Sequence, residues 1–355
     1  ADLGTLIDAL RAQGGVSAGY WPHVGAFVAS ALARRPFVGL DRRRMQGIDP
    51  ETVLEPPVFI VGYWRSGTTH LHNLLGCSPE FGIITPLASG LPRELLTLGT
   101  WLEPVLERAL PEDRGVDDVA VRPQSPQEDE IPVANLQPLS VFHALYFPRQ
   151  FRRNFERGVF FSHATEQEVE QWANCVRYFL AKVATHQDTQ PLLVKNPVYT
   201  ARVGQLRKLW PEARFIHIYR NPYTVYRSTT HYFKNMLSKL ALQAYDVADV
   251  EPVVLDSYPR MLDRLYRATD DLPDDQFAEV RFEDLEDRPL EEVERLYHQL
   301  DLPGWRQARP RTKRYLARVV DYSKNKYTYG PEVRATVRDA WGRFVNRWGY
   351  ELPTD

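Results

Sequence analysis

The sequence predicts an α/β fold, a mostly parallel central sheet flanked by helices, with helical insertions on one side of it. Three observations carry this. Short continuous apolar runs at residues 58–61, 192–194 and 215–219 have the pattern of strands buried on both faces. Longer stretches between them, at 69–75, 166–185, 199–210, 222–237 and 289–300, place apolar residues at helical spacing. Two strand ends lead through a short turn into a helix, at 57–75 and again at 214–228. Strands that alternate with helices close into parallel pairs through right-handed crossovers, and ligands of such sheets sit beyond the carboxyl ends of the strands.

The chain has 355 residues, enough for one large domain or two ordinary ones. It reads as a single domain over 1–355. Its 43% hydrophobic and 25% charged residues are those of a soluble globular protein. A net charge of −2 excludes bulk attraction to nucleic acid or to anionic membranes, though a local basic pocket stays open. Cys77 and Cys175 form neither a disulfide framework nor a zinc spacing. Two unpaired thiols point to a reducing compartment. No signal peptide or bilayer-spanning run is visible, so a cytoplasmic location is expected.

In chain order, residues 1–54 read as an N-terminal helical extension. Leu3, Leu6 and Leu10, then Val24, Phe27, Val28 and Leu32, recur at helical spacing. They either pack on the main domain or form an acceptor-site wall or a membrane-surface contact. Residues 84–161, rich in proline and mixed charge, read as an insertion over the acceptor side. Its aromatics, among them Phe142, Tyr146, Phe147 and Phe151, line a pocket or fill a core. Residues 238–264 look like a second helical insertion or lid. A fourth strand is expected at 277–282, more polar and nearer an edge.

The chemistry concentrates after the strand at 58–61. Gly62 and Gly67 stand at the spacing of a P-loop, so the fold is P-loop-like, but Thr68 and Thr69 follow where a P-loop has lysine and then serine or threonine. The lysine that reaches the terminal phosphates of a nucleoside triphosphate is missing. The cation is Arg65, inside the loop. Backbone N–H groups from Arg65 through Ser66 and Gly67 to Thr69, at a helix N-terminus, suit an anion, and Thr68 and Thr69 add hydroxyl donors. A turn that merely caps a helix has no need of this combination. In the second strand–turn–helix unit, Arg220 ends a strand and Ser228 lies eight residues on, so both can face one ligand. Arginine suits bidentate phosphate binding, and Arg227 could take either role. Lys195 ends the strand at 192–194.

The order Arg65-Ser66-Gly67-Thr68-Thr69 after a strand resembles the 5′-phosphosulfate loop of sulfotransferases that use 3′-phosphoadenosine 5′-phosphosulfate (PAPS). Residues 214–228 resemble that family's 3′-phosphate site, with Arg220 and Ser228 as its ligands. The resemblance runs from about residue 57 to 302 and implies PAPS as donor and 3′,5′-adenosine bisphosphate as product. Lys195 in Leu193-Val-Lys-Asn-Pro197 resembles a catalytic lysine that stabilises the transferring group, with Asn196 where relatives carry Asp or Ser. Sulfonyl transfer to a hydroxyl needs a general base. Candidates are Glu128, then Glu130, in Gln127-Glu-Asp-Glu130, a segment similar to one in bacterial sulfotransferases, and then His143, a counterpart of the histidine of cytosolic ones. The glutamate used by tyrosylprotein enzymes has no counterpart, because residues 81–85 contain no acid. Lys324 and Lys326 stand where the family closes its 3′-phosphate site with a basic segment. The segment 279–285 resembles a structural element near the adenine. No metal is expected, since Arg65 and Lys195 supply the positive charge.

The expected activity is therefore transfer of a sulfonate from PAPS to a hydroxyl of a small molecule, lipid or glycan. The alternatives are an ATP-dependent phosphotransferase, against which Thr68 stands, and a non-catalytic nucleotide- or lipid-binding relative. Neither a nucleic-acid partner nor a transmembrane segment is expected. Acceptor identity and oligomeric state stay open.

Overall fold

In a computed structural model, which describes residues 3–109, 125–245, 249–318 and 329–351, the apolar runs become strands of one five-stranded sheet. The strands are β1 (Val58–Val61), β2 (Gly82–Ile83), β3 (Leu192–Lys195), β4 (Arg214–Tyr219) and β5 (Phe277–Arg281). Every pairing is parallel and the order is β2-β3-β1-β4-β5. The central strand β1 therefore has β3 on one side and β4 on the other. Ligands of open α/β sheets bind at such a reversal of strand order.

Helices α1 (Leu3–Ala12) and α2 (Trp21–Arg44) precede the sheet, and α3 (Thr68–Leu75) follows β1. The insertion holds α4 (Pro86–Gly90), α5 (Thr100–Ala109), α6 (Glu130–Leu136), α7 (Phe142–Tyr146) and α8 (Phe151–Phe160). Then α9 (Glu166–Gln187) leads into β3 and α10 (Val203–Leu209) into β4. Between β4 and β5 lie α11 (Pro222–Leu240) and α12 (Val250–Thr269). The chain closes with α13 (Phe282–Asp287), α14 (Pro289–Gln299), α15 (Trp305–Arg318) and α16 (Pro331–Arg347).

Alternation along β1 divides the core. Val58 and Ile60 face a cluster with Leu71, Leu74 and Leu75 of α3 and with Ile216 and Ile218 of β4. Phe59 and Val61 face a larger cluster that holds Val194, Phe215, Trp172 and the insertion's Phe151 and Phe155. The insertion's aromatics are thus core rather than pocket lining: Phe142, Phe147, Phe155 and Phe160 are buried, and Tyr146 and Phe161 pack against the same cluster.

One strand goes unread in the sequence, and three local readings are revised. Strand β2, two residues long, is too short to leave a pattern. β5 stops at Arg281, and Phe282 opens α13 instead of ending the strand. The helix expected over 199–210 splits into a 3₁₀ turn, Pro197–Ala201, and α10. The break at Arg202 lets its buried guanidinium bond the carbonyls of Gly158 and Val159. Residues 238–264 are not a lid: α11 runs on to Leu240, and α12 buries Val254, Tyr258, Met261 and Leu265 in the core.

The N-terminal helices are pinned at particular points. Gln13 and Asn154 exchange side-chain amide bonds of 2.9 and 2.8 Å. The Ser17 N–H donates to Leu242 O at 3.1 Å. Asp41, fully buried, pairs with Lys182 of α9 at 2.8 Å. Between these points α2 buries only Val24 and Asp41.

Candidate active site

The turn after β1 owes its shape to residues that tolerate unusual backbone. Gly62 has φ 155° and Gly67 φ 101°. A Cβ on Gly67 would lie 2.2 Å from the Phe282 ring, and one on Gly62 would lie 2.4 Å from Ile218 O. Glycine is required at both for approach as well as conformation. Arg65, at φ 67°, is a non-glycine residue in the left-handed region, which stores strain in the loop. Ser66 donates its hydroxyl to Tyr63 O at 2.7 Å, so it locks the turn internally. The Gly62 N–H donates to Thr200 Oγ1 at 2.8 Å and ties the loop to the turn after β3. Helix α3 begins at Thr68, with its first N–H groups at the loop.

The two phosphate motifs meet. Arg65 Nε donates to Ser228 Oγ at 3.0 Å, although the residues belong to different βα units. The Arg65 guanidinium also lies 5.8 Å from the centre of the Tyr232 ring. Arg220 stacks its guanidinium on Phe282 at 4.1 Å, the ring that packs under Gly67. Burial lowers the Arg220 pKa, Glu283 and Glu286 oppose that shift, and the Arg65 charge adds to it. Two arginines, a serine and a helix N-terminus thus converge on one place, and a doubly anionic nucleotide fits this set. Arg227, which could have replaced either, is exposed on α11. Lys324 and Lys326 lie outside the described residues. Tyr329, just beyond them, hydrogen-bonds Thr224 at 2.8 Å, one turn after Arg220.

At the end of β3 the chain sorts three consecutive acids. Lys195 is buried, and its ammonium donates to Glu128 Oε1 in a very short contact and to Thr69 Oγ1 at 3.4 Å. It therefore joins the donor loop to Glu128, whose side chain keeps 29% exposure. Asn196 points the other way and donates to Asp129 Oδ1 at 2.8 Å and Glu130 Oε2 at 2.9 Å. Glu130 also accepts from Ser140 Oγ at 2.7 Å and from the Val141 N–H at 3.0 Å. It is buried and fully engaged in structure. Asp129 is buried too and accepts from the Tyr199 hydroxyl. Burial pushes its carboxyl up to about 7, with the neighbouring acids adding and the Tyr199 and Asn196 hydrogen bonds opposing.

His143 is not brought to the donor loop. It is buried in the insertion, its Nδ1 at 2.7 Å from Pro138 O, and burial lowers its pKa. A carbonyl partner requires Nδ1 to carry the proton. Of the acids and the histidine proposed as base, Glu128 alone pairs with Lys195 and keeps access to solvent.

Sequence reasoning passed over Tyr199, Thr200 and Phe282, and left Asp129 unranked among the three acids. Phe282 had one signal, its place in the segment 279–285 expected near the nucleotide. The others act through contacts between distant segments, which spacing does not record. Among the described residues no group of His, Cys, Asp and Glu is placed to hold a metal ion, and no helix is long and apolar enough to cross a membrane.

Residues 56–307 match the model of the Sulfotransferase family. The chain is 33% identical over 306 residues to omega-hydroxy-beta-dihydromenaquinone-9 sulfotransferase Stf3 of Mycobacterium bovis and of Mycobacterium tuberculosis, spanning 86% of this chain and 78% of each of those. Among solved structures it is similar to sulfotransferase STF9 from Mycobacterium avium, with a TM-score of 0.70, 18% identity, and coverage of 96% of this chain and 88% of that one. It is also similar to sulfotransferase STF1 from Mycobacterium tuberculosis, with a TM-score of 0.68, 20% identity, and coverage of 96% and 91%. These two likenesses concern the fold.

Proposed function

Since the chain belongs to the sulfotransferase family, enzymes that move a sulfonyl group onto an acceptor hydroxyl, we propose that its donor is PAPS and its acceptor a lipid hydroxyl, with Glu128 as general base. The observation that carries this reading is the Lys195 ammonium bonded at once to Glu128 and to Thr69 of the donor loop. It sets a proton acceptor and a cation side by side where the loop ends. The lipid class is supported by the relative that acts on a menaquinone derivative.

PAPS supplies the sulfonyl group and leaves as 3′,5′-adenosine bisphosphate. Arg65, Thr68, Thr69 and the first N–H groups of α3 hold its 5′ end. Arg220 and Ser228 hold its 3′-phosphate, with Lys324 and Lys326 as further ligands. Glu128 takes the proton of the acceptor hydroxyl as that oxygen bonds to sulfur and the bond from sulfur to the phosphate oxygen breaks. Lys195 and Arg65 stabilise the charge that grows on the departing oxygen, a task of positioning and electrostatics. Tyr199 and Asn196 hold Asp129 and Glu130 away from this reaction, so a single acid faces it. Gly67 lets the backbone approach the anion where a side chain would strike Phe282.

Calorimetry tests the donor. Binding of 3′,5′-adenosine bisphosphate without metal, tighter than that of ADP or of ATP with Mg²⁺, is expected. Arg220→Ala should weaken the bisphosphate while leaving ADP little changed. A preference for ATP with Mg²⁺ would replace this reading with the phosphotransferase one.

A further inference from the structure

Helix α2 contradicts itself. Over residues 21–33 it carries no Asp, Glu, Lys or Arg, and Trp21, Val24, Phe27, Val28 and Leu32 stand among Gly25 and four alanines, with Pro22, His23 and Ser30 between them. A charge-free helical stretch with this many large apolar side chains is expected to bury a face. Yet across its 24 residues only Val24 and Asp41 are buried, while Trp21 is 56% and Leu32 50% exposed. The helix is not loose, because its start is tied through Ser17 to Leu242 and its end through Asp41 to Lys182. Among the described residues nothing covers its outer face.

That face has an order. Trp21, Leu32 and Arg43 follow at intervals of eleven residues, about three turns, so they lie along one line of the helix. Arg35 and Arg42 flank the line at its C-terminal half, and all three arginines are exposed. The acid in this helix, Asp41, is buried against Lys182, so the exposed charge is positive only. A second exposed apolar pair stands on α5. Trp101, 77% exposed, and Val105, 56% exposed, are one turn apart on α5. The turn before α5 is bonded to α2, Thr97 Oγ1 donating to Asp41 Oδ1 at 2.9 Å.

We propose that the outer face of α2 seats on the surface of an anionic lipid bilayer, the helix lying in the interface. Tryptophan at one end and arginines at the other are the side chains that settle at headgroup level. A second copy is the weaker occupant. An isologous pair through this face would enclose Arg35, Arg42 and Arg43 with no acid on the face to meet them, whereas anionic headgroups meet them directly. The overall charge of −2 does not oppose this, because the attraction is local and falls off within a screening length. Neither the donor nor the acceptor assigned above enters into this seating.

Sedimentation of the full chain with vesicles of phosphatidylcholine, with and without phosphatidylglycerol, tests it. Binding only to the anionic vesicles is expected. It should weaken as salt shortens the screening length from about 10 Å at 0.1 M to about 3 Å at 1 M. The triple change Arg35→Ala, Arg42→Ala, Arg43→Ala should lower the partition coefficient by about 100-fold. Leu32→Glu should lower it with the arginines intact, and unchanged melting curves would show that both variants fold. Absence of binding by the natural chain, or equal binding by both variants, overturns the proposal. Analytical ultracentrifugation reads the competing occupant: self-association that Leu32→Glu abolishes, with no vesicle binding, overturns the bilayer and assigns the face to a second copy.

Discussion

Lys195 shows how much one side chain decides. It is buried at a strand end and bonded to Glu128 and Thr69, so in the proposed reaction its loss removes a cation from the place where charge builds. Lys195→Ala should reduce kcat by about 10²–10³-fold with little change in bisphosphate affinity, read by steady-state kinetics beside calorimetry. Glu128→Gln should reduce kcat to a similar degree, while Glu130→Gln should act mainly on melting temperature, because Glu130 bonds Ser140, Val141 and Asn196. Asp129 carries a pH signature. Its carboxyl holds a proton up to about pH 7 in the fold and only to about pH 4 in the unfolded chain. The folded state binds the extra proton between these values, so the stability Asp129 contributes is complete below about pH 4 and lost as pH rises through about 7. Urea melts across that window should show Asp129→Asn removing a downward slope of roughly 1.4 kcal/mol per pH unit. His143, whose pKa is lowered, works in the opposite sense, so the difference between variant and natural chain isolates Asp129. At this scale the sequence was readable where chemistry is local. Arg65, Lys195 and Arg220 each end or follow a strand in a recognisable string, whereas Tyr199 and Phe282 matter only through what folds against them.

Elements were legible in proportion to their periodicity. The runs that became β1, β3 and β4 are short, apolar and bounded, and the long amphipathic stretches became α9, α11 and α14. β2 escaped because two residues carry no period, and the break at Arg202 escaped because its cause is a guanidinium reaching the insertion. The loop after β1 tolerates little change at its glycines. Gly67→Ala puts a Cβ 2.2 Å from Phe282 at φ 101° and should cost about 1–3 kcal/mol in backbone strain alone. It should also lower bisphosphate affinity, since Phe282 carries Arg220. A buried ion pair helps fix the C-terminal end of α2. Asp41→Ala takes the counter-charge from the buried Lys182 and leaves it the carbonyls of Pro92 and Arg93, and melts should record a loss of about 3–5 kcal/mol, most of which a paired Lys182→Met change should return.

At the scale of the molecule, insertion and sheet share one core. Phe151, Phe155 and Phe160 from the insertion stand in the same cluster as Phe59, Val194 and Phe215 from the strands. Arg202 spans the seam, its guanidinium over the rings of Phe161 and Trp172 and bonded to Gly158 O. Calorimetry should therefore give one transition for both regions, and Arg202→Ala should lower it without splitting it. The sequence could mark the insertion's limits by its prolines, but not that its aromatics would be enclosed, because burial belongs to the partner surface. The meeting of insertion and sheet at the end of β3 has a further consequence. Lys195 and Asn196 face opposite ways and sort Glu128 from Asp129 and Glu130. A residue gained or lost in that triplet would hand the exposed position to a different acid and bury the old one. Across descendants of this chain, the run at 128–130 must hold its length even where neighbouring stretches of the insertion drift in length.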